Sequence, residues 1–493
     1  MRRGLLACVF FLLLVPSAQA ETLKYRFGPI HIGPGRNDNL YELNNMRPAV
    51  DGWITSFKPN LTYADGEVPR VDVIHLHHGV WAINGRPTFA AGEEKTTITA
   101  PPGYGWRYRT SDQWIMNHMI HNLTPSATDV YIDYEIEFTP DTAPEAASMR
   151  EVKTLWLDVM GGTFYPVFDV HRHAGGRDKR YTYPNESKLR NYTRNRYVVP
   201  EDGVLVGTAG HLHPGGLWTD LYVERGGKRV RVFRSRAHYF EPAGAVSWDV
   251  SMEATPPDWR VGVKRGDVLE VAATYDSKRA SWYEAMGIMG TMFNPGGTGP
   301  DPFLTNVEKR GVLTHGHLAE NRNHGGAFSG LADARKLFSA PPPPTRTIGI
   351  RNFLYGRGDL LRVGKKRRPP TIRPGGSLKF VNRDARRGIM HSITSCKAPC
   401  NRTTGIAYPI ANGPVRFDSG NLGFGPPGVT AAANRATWRT PRNLRDGTYT
   451  YFCKIHPFMR GAFRVKGPSK NPATSRSRAG SSWTTPKSRK ARH

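Results

Sequence analysis

Hydrophobic and polar residues alternate over short stretches of this chain instead of recurring every three or four positions. In VYIDYEIEF, residues 130–138, apolar side chains fall at every second position. A period of two is typical of a half-buried β-strand, and 52 glycines and 39 prolines supply turns between strands. We therefore predict an all-β protein. Other strand-like segments are VDVIHLHH, LWLDV, GVLVGTAGHLH, WTDLYVE, VLEVAATY and SLKFVN.

The length of 493 residues is too great for one hydrophobic core and predicts two to four domains. The stretch SAPPPPTR is the clearest linker, because polyproline forms a semi-rigid spacer. We predict two tandem, jelly-roll-like β-sandwiches, then a third β-sandwich and a disordered tail. The predicted parts are a signal peptide at 1–20, sandwiches at 21–150 and 151–338, a linker at 339–346, a third sandwich at 347–466 and a basic tail at 467–493.

The first twenty residues, MRRGLLACVFFLLLVPSAQA, have the pattern of an export signal. Arg2 and Arg3 precede an apolar run, and Ala-Gln-Ala at 18–20 is a small-residue cleavage site. The apolar run is short for crossing a bilayer, although an uncleaved anchor is the alternative. We find no later candidate for a membrane span. We expect a secreted, extracytoplasmic protein that begins near Glu21.

Cysteine usage is informative in such a compartment. Cys8 leaves with the signal, and Cys396, Cys400 and Cys453 remain. An odd number of cysteines in an oxidising compartment leaves a thiol unpaired unless two chains are bridged. Cys396 and Cys400 are near enough to form a local disulfide, which we predict, or to act as extra metal ligands. Cys453 is then free, and metal ligation would protect it.

The net charge of +28 comes from 69 basic and 41 acidic residues, and part of it is concentrated in residues 362–373 and in the tail. Basic runs can bind nucleic acid, but an exported protein rarely meets it. We predict no nucleic-acid partner. A solvated basic arm that adheres to anionic cell-surface polymers is the expected role of the tail.

The motif CKIHPFMRG places Cys453, His456 and Met459 on a loop between two strand-like runs, and His391 follows an earlier strand. Two imidazoles and a thiolate form a trigonal plane, and a thioether is a weak axial partner, which is the blue-copper or type 1 arrangement. Two other interpretations stay open. The thiol could be inert and buried with Met459 as core filler, or the loop could hold zinc.

With these residues, the chain resembles the cupredoxins over about residues 347–465, most closely the amicyanin and plastocyanin branch with its short ligand loop. The aromatic residues before the cysteine and the Met-Arg-Gly exit also match. The resemblance implies a Greek-key β-sandwich that transfers single electrons. It also implies one type 1 copper bound by His391, Cys453, His456 and Met459.

The large N-terminal region concentrates histidines on strand-like segments. A His-x-His pair on a strand puts both rings on the same face, where they can chelate one metal ion. Adjacent histidines point to opposite faces, so His77 and His78 need a bulge or a strand end to converge. The clusters are His75, His77 and His78; His118 and His121; His211 and His213; Met286, Met289 and Met292; and His315, His317 and His324.

The order of these residues, with a His-His pair, a lone histidine, His-x-His and then a methionine, resembles the copper type II, ascorbate-dependent monooxygenases over about residues 71–292. The contexts GYGWRYRTSDQWIMNHMIHN and GHLHPGGLWTDLYV are also similar. The resemblance implies two type 2 copper sites on two β-sandwiches that face a cleft. One accepts and passes on electrons, and the other binds O₂ and hydroxylates a C–H bond. The implied ligand sets are His77, His78 and His121 for the first site, and His211, His213 and Met286 for the second.

The chain departs from that family at defined places. The N-terminal region after the signal contains no cysteine, whereas the family has several disulfides there. Ala209 stands where peptide-amidating members have an arginine, and Gly290 stands where they have a tyrosine. A glycine-extended peptide is therefore not the expected substrate. Alternatives for neighbouring ligands are Met289, Met292, His75 and His118.

Together these features predict an exported multi-copper protein in which a blue-copper domain feeds a monooxygenase-like region. Its reductant would be a redox partner or a small molecule, and its substrate an organic compound of unknown identity. The alternative is a non-catalytic protein of the cell envelope that binds or stores copper and transfers electrons. His315, His317 and His324 have no counterpart in the family and form either a further metal site or an ordered polar loop.

Overall fold

The computed structural model describes residues 20–161, 166–186, 195–240, 249–322, 330–337, 346–362, 369–400, 415–424 and 435–467. These ranges contain thirty β-strands and no α-helix, which confirms the predicted all-β class. No helix in them is long and apolar enough to cross a membrane. The predicted signal peptide, linker and basic tail lie almost wholly outside the described residues. Short 3-10 helices span Pro144–Ser148, Ala319–Asn321, Ala334–Lys336, Gly356–Gly358 and Asp384–Arg387.

The first ten strands form the N-terminal sandwich. One sheet has the order β1-β9-β3-β7-β10, with β6 paired to β3, and the facing sheet has the order β2-β8-β4-β5. Its core is aromatic, because Phe57 stacks on Phe89 at 4.5 Å and meets Trp81 edge-on at 4.7 Å between ring centres. The strands are β1 (Glu21–Ile32), β2 (Asn37–Leu43), β3 (Gly52–Thr62), β4 (Ile74–Ile83), β5 (Arg86–Gly92), β6 (Ile98–Thr99), β7 (Tyr104–Tyr108), β8 (Trp114–Asn122), β9 (Thr128–Pro140) and β10 (Arg150–Glu151).

The next thirteen strands form the middle sandwich. Its principal sheet follows the order β11-β22-β15-β18-β17-β16-β20-β13, and β12 pairs with β21 beside it. Trp259, Phe233 and Tyr275 are fully buried in its core. The strands are β11 (Lys153–Asp158), β12 (Phe168–Val170), β13 (Arg180–Tyr183), β14 (Tyr197–Val198), β15 (Gly203–His211), β16 (Gly216–Arg225), β17 (Lys228–Tyr239), β18 (Val250–Ala254), β19 (Val261–Val263), β20 (Val268–Asp276), β21 (Trp282–Ala285), β22 (Ile288–Pro295) and β23 (Val312–Leu313).

The last seven strands form the C-terminal sandwich, in which sheet β24-β26-β28 faces sheet β25-β30-β29-β27. The pairs β24–β26 and β25–β30 are parallel, and the other pairs are antiparallel. This is the two-sheet architecture that the cupredoxin resemblance implies. The strands are β24 (Thr347–Ile350), β25 (Thr371–Ile372), β26 (Lys379–Asn382), β27 (Thr394–Cys396), β28 (Thr437–Arg439), β29 (Gly447–Phe452) and β30 (Arg460–Val465).

Polar contacts fix the C-terminal sandwich against the middle sandwich. The ammonium group of Lys454 donates to the Ser281 carbonyl at 2.7 Å and lies 3.2 Å from the Asp418 carboxylate. That carboxylate also accepts from the Ser281 N–H at 2.8 Å, and Lys454 lies over the Trp282 ring. Because Lys454 stands between Cys453 and His456, this contact holds the predicted ligand loop against the middle sandwich.

Candidate metal centres

The loop between β29 and β30 carries Cys453, His456 and Met459, and pairing of β27 with β29 brings His391 beside it. His456 Nδ1 lies 3.2 Å from His391 Nδ1 and 3.7 Å from Cys453 Sγ. All three residues are buried, and their ligand atoms lie within 4.8 Å of one another. Such separations suit donors that share one ion at about 2.0–2.3 Å. A thiolate with two imidazoles fits copper, as the sequence predicts.

The sulfur of Cys453 accepts two backbone hydrogen bonds, from the N–H groups of Ser392 and His456, each at 3.3 Å. Burial alone would raise the pKa of the Cys453 thiol. Interaction with His391 and the two N–H groups outweighs burial and lowers that pKa. Since the thiolate is the form that ligates a metal, the protein prepares Cys453 for binding. Among the cysteines that the structure describes, Cys453 is the free one, as predicted.

Asp384 orients the His391 ring from behind. Its Oδ2 accepts from His391 Nε2 at 3.1 Å, and its carboxylate also accepts from the backbone N–H groups of Asn352 and Phe353. His391 Nδ1 is therefore the nitrogen that faces the other two donors. A buried carboxylate that holds the second nitrogen of a histidine fixes its tautomer and raises its basicity as a ligand.

Met459 closes the loop within the hydrophobic core. Its N–H donates to the His456 carbonyl at 2.9 Å, and its own carbonyl accepts from the Cys453 N–H at 3.2 Å. The neighbouring Arg460 is buried and donates to the carbonyls of Pro457 and Cys400. Cys400 is bonded to Cys396, which confirms the predicted disulfide. The disulfide loop and the ligand loop are therefore joined through one guanidinium group.

In the N-terminal sandwich, β4 and β8 pair with His75 opposite His121, and the register shifts between Leu76 and His78. This irregularity is the bulge that convergence of His77 and His78 requires. The two rings lie 5.8 Å apart between centres. They nevertheless line different cavities.

A large cavity of about 740 Å³ lies between the N-terminal and middle sandwiches. His78 and Glu94 line it from one side, and His211 and Met286 from the other. Apart from these residues its wall is mainly apolar or threonine. Both positions that depart from the monooxygenase family, Ala209 and Gly290, also lie on this wall, and a side chain added at Gly290 would meet nothing within 4 Å. The remaining apolar wall includes Val80, Ala90, Ile98, Trp156, Val206, Ile288 and Leu313.

A buried pair of acidic residues follows β5 at the edge of this cavity. Glu94 Oε1 lies 2.9 Å from His211 Nδ1. Burial would lower the pKa of His211, but the charge and hydrogen bond of Glu94 raise it to about 9. Glu93 is equally buried, and burial together with the charge of Glu94 raises its pKa to about 8. A buried carboxyl group with a raised pKa therefore precedes, in the sequence, the carboxylate of a histidine–carboxylate pair on the cavity wall.

His213 lies beyond the end of β15 and turns away from the large cavity. Its Nδ1 donates to the carbonyl of Glu284 at 2.6 Å, and Glu284 adopts a left-handed conformation with φ of 58°. The Tyr275 hydroxyl accepts from the N–H groups of His213 and Met286, each at 3.1 Å. It donates to the Met286 carbonyl at 2.6 Å. One hydroxyl therefore fixes the backbone of two predicted ligands.

Buried imidazoles form a series that crosses all three sandwiches. Ring centres are 6.2 Å apart for His456 and His121, 6.3 Å for His121 and His77, and 4.6 Å for His77 and His213. His211 lies a further 5.3 Å from His213. The predicted type 1 site thus adjoins the histidines predicted to bind the other metal ions.

The remaining histidine cluster is separate from this series. His317 pairs with buried Asp249, and His315 Nδ1 donates to the Gly316 carbonyl at 2.7 Å. His324 lies outside the described residues. Among the alternative ligands, His118 pairs with Glu42 at 3.2 Å, and His75 Nδ1 donates to the Val71 carbonyl at 2.7 Å.

Sequence reasoning missed Asp384, Glu93, Glu94 and Lys454. Asp384 stands in the polar run NRDARRG, and the two glutamates stand in GEEK, so local patterns predict exposed turns. Their burial is imposed by packing against distant segments, and the sequence carries no local signal for it.

No protein-family model and no curated protein sequence matches the chain. Among solved structures, it is similar to a purple cupredoxin from Nitrosopumilus maritimus, with 19% identity, 20% of this chain and 75% of that chain covered, and a TM-score of 0.13. It is also similar to the Cu(I) form of a mutant amicyanin, with 17% identity and a TM-score of 0.15. That match covers 28% of this chain and 93% of the amicyanin chain. A copper-containing nitrite reductase from Thermus scotoductus is similar with 16% identity and a TM-score of 0.15. That match covers 55% of this chain and 59% of the reductase chain. Scores of this size carry no functional weight, and the grounds for copper are the donor atoms of Cys453 and its neighbours.

Proposed function

We propose that this protein is an exported copper oxidoreductase. Its C-terminal sandwich passes single electrons to a histidine-rich centre between the other two sandwiches, where O₂ oxidises a C–H bond of an organic substrate. The observation that carries the proposal is the series of buried imidazoles that begins at His456 and continues through His121 and His77. A blue-copper site without a partner centre would have no need of that series.

Copper fits the residues of the C-terminal site. His391 Nδ1, His456 Nδ1 and Cys453 Sγ converge, and Asp384 and two backbone N–H groups support them. When bound there, copper supplies one-electron transfer with little rearrangement of its ligands. The chain's contribution is to hold the thiolate, to exclude water through burial, and to set the ring orientation.

The large cavity is the proposed place of the organic substrate. Hydroxylation inserts one oxygen atom of O₂ into the C–H bond and reduces the other to water, which consumes two electrons and two protons. The imidazole series delivers electrons to the cavity edge. Glu93, which precedes Glu94 in the sequence and whose pKa burial raises to about 8, is the proposed source of a proton. The mainly apolar wall suits an uncharged substrate.

Export is part of the proposal. The signal pattern at residues 1–20 supports it, and so does the Cys396–Cys400 disulfide, because disulfides persist in oxidising compartments. Adhesion of the basic tail to anionic cell-surface polymers remains a prediction.

The proposal is tested by reducing the copper-loaded protein, mixing it with O₂ and following the return of the blue absorption. If electrons pass through His121, the blue absorption returns at least tenfold more slowly in His121→Phe. This variant keeps the bulk of a ring but removes both nitrogens. His118→Phe on the same strand is the matched control and leaves the rate unchanged, since His118 pairs with Glu42 outside the series. Equal, slow rates in all three proteins would instead support the non-catalytic copper-binding protein.

A further inference from the structure

A small cavity lies where all three sandwiches meet. Its volume is about 100 Å³, and its wall includes His77 and His121 of the N-terminal sandwich, His213 and Glu284 of the middle sandwich, and Lys454 of the C-terminal sandwich. The three histidines come from both halves of the monooxygenase-like region. In the ligand sets implied by the family resemblance, His213 belongs to a different metal ion from the other two.

Each of these histidines has a buried ring nitrogen that is left without a hydrogen-bond partner in the described part of the chain. The atoms are Nδ1 of His77, Nδ1 of His121 and Nε2 of His213. A buried polar atom without a partner costs free energy, so three around one cavity indicate an absent ligand. All three side chains are buried, and a neutral imidazole offers a metal ion the lone pair of its unprotonated nitrogen.

The His77–His213 separation suits a shared ion as it stands, and the His77–His121 separation lies slightly outside the usual range. Imidazoles that bind one ion at about 2.0–2.1 Å have ring centres roughly 4.5 to 6 Å apart. His391 and His456, the two histidines of the C-terminal site, are 5.0 Å apart in this structure. The corresponding distances are 4.6 Å for His77 and His213 and 6.3 Å for His77 and His121. Binding of one ion by all three residues therefore requires the His121 ring to move toward the other two.

The hydrogen bond that orients the His213 ring is of the kind found at metal ligands. Its Nδ1 donates to the carbonyl of Glu284, which leaves Nε2 as the donor atom. A ligating histidine normally gives its other N–H to a carbonyl or carboxylate in this way. The left-handed backbone of Glu284 costs about 1 kcal/mol or more, which indicates that this orientation is maintained against strain.

We infer that His77, His121 and His213 form a three-histidine site for a first-row transition metal, copper in the working protein, at the junction of the three sandwiches. Imidazole-only sites suit copper and exclude hard cations such as Mg²⁺ and Ca²⁺. The site regroups the ligands, because His78, His211 and Met286 are left together on the wall of the large cavity. This inference concerns metal binding alone and stands or fails independently of any oxidation reaction.

The experiment loads the metal-free full chain with CuCl₂, removes excess copper, and combines metal analysis with electron paramagnetic resonance. The single variants His77→Ala and His213→Ala each lose one copper equivalent with a non-blue signal and keep the blue absorption, which also shows that they are folded. The decisive protein is the double variant, which loses no more copper than either single variant. His118→Ala, on the same strand as His121, is the control and loses none.

Loss of two equivalents in the double variant would overturn the inference, since His77 and His213 would then serve separate ions. Unchanged copper in both single variants would also overturn it and leave bridging water as the content of the cavity. Should His213→Ala not fold, His213→Asn replaces it, because its amide can still donate to the Glu284 carbonyl while ligating copper poorly. The expected loss of one equivalent is the same.

Discussion

The imidazole of His121 lies edge-on to the imidazole of His456, with 6.2 Å between ring centres. One ring belongs to a strand of the N-terminal sandwich and the other to the ligand loop of the C-terminal sandwich. Burial of both rings removes water from between them, and an electron can pass over this short distance without any domain movement. In the proposed function, this contact is the point at which electrons pass from the C-terminal sandwich to the N-terminal sandwich.

Replacement of Cys453 by serine removes the thiolate that gives a type 1 site its colour. We expect Cys453→Ser to lose the intense visible absorption and one copper equivalent, while non-blue copper stays bound elsewhere. The absorption spectrum and metal analysis check this. The double variant Cys396→Ser/Cys400→Ser is the control and keeps its colour, because the disulfide is outside the donor set. A Cys453→Ser protein that stays blue would disprove the assignment.

Asp384→Asn tests the support of His391. The amide keeps the shape of the side chain but removes the negative charge beside His391 Nε2. Loss of such a partner lowers metal affinity by about 10- to 100-fold, and we expect that decrease in a Cu(I) competition titration. Asp129→Asn changes an exposed Asp–His pair, with His31, and should leave the affinity unaltered. Equal affinities in the two variants would show that Asp384 has no positioning role.

Lys454→Met tests the contact that anchors the ligand loop. The variant keeps an apolar stem over Trp282 but leaves the buried Asp418 carboxylate without its cationic partner. Removing one member of a buried pair costs about 3 kcal/mol or more. We expect earlier thermal unfolding and faster hydrogen exchange at the Ser281 amide, with the blue colour retained. Lys24→Met is the control. It breaks an exposed ion pair with Glu135, and we expect it to lower the free energy of unfolding by less than about 1 kcal/mol. A decrease in the free energy of unfolding in Lys454→Met no larger than that in Lys24→Met would contradict the prediction.

Asp158 should make stability depend on pH. Burial raises its pKa from the ordinary value of 3.8 to about 6, although the Met160 N–H, which donates to its side chain, opposes that change. The folded state therefore holds the proton more tightly than the unfolded state. Stability from this group falls as the pH rises from about 4 to about 6 and is constant above that range.

The variant Asp158→Asn cannot ionise and should escape this loss. Relative to the unchanged protein, we expect it to gain about 2.4 kcal/mol in free energy of unfolding between pH 4 and pH 7. Denaturant unfolding of both proteins at several pH values measures the difference. A difference that does not change with pH would show that the Asp158 carboxylate is not destabilised by burial.

The fold could be predicted from the sequence where one face of a strand is exposed to solvent and the other is buried in the core. VYIDYEIEF alternates and lies in β9, whose odd and even positions face opposite sides. The donors around Cys453 could be predicted from the sequence equally well, because three of them lie on one loop. The need for a bulge at His77 also followed from strand geometry and is met by the register shift at Leu76.

What could not be predicted depends on how distant segments pack. Glu94 stands in a hydrophilic turn but is 3% exposed, because the middle sandwich covers it and supplies His211. Spacing and the family resemblance predict that His211 and His213 share one site; their rings lie 5.3 Å apart, and the two residues line different cavities. No local pattern specifies which sandwich lies against which, so the grouping of ligands needs the tertiary structure.

The complete burial of His456 has a consequence for electron entry. A mobile carrier protein needs an accessible ring through which successive partners can exchange charge, and here that ring is covered by the molecule's own N-terminal sandwich. An outside donor must approach from another side of the C-terminal sandwich. In the proposed function, electrons therefore enter and leave the C-terminal sandwich at different places.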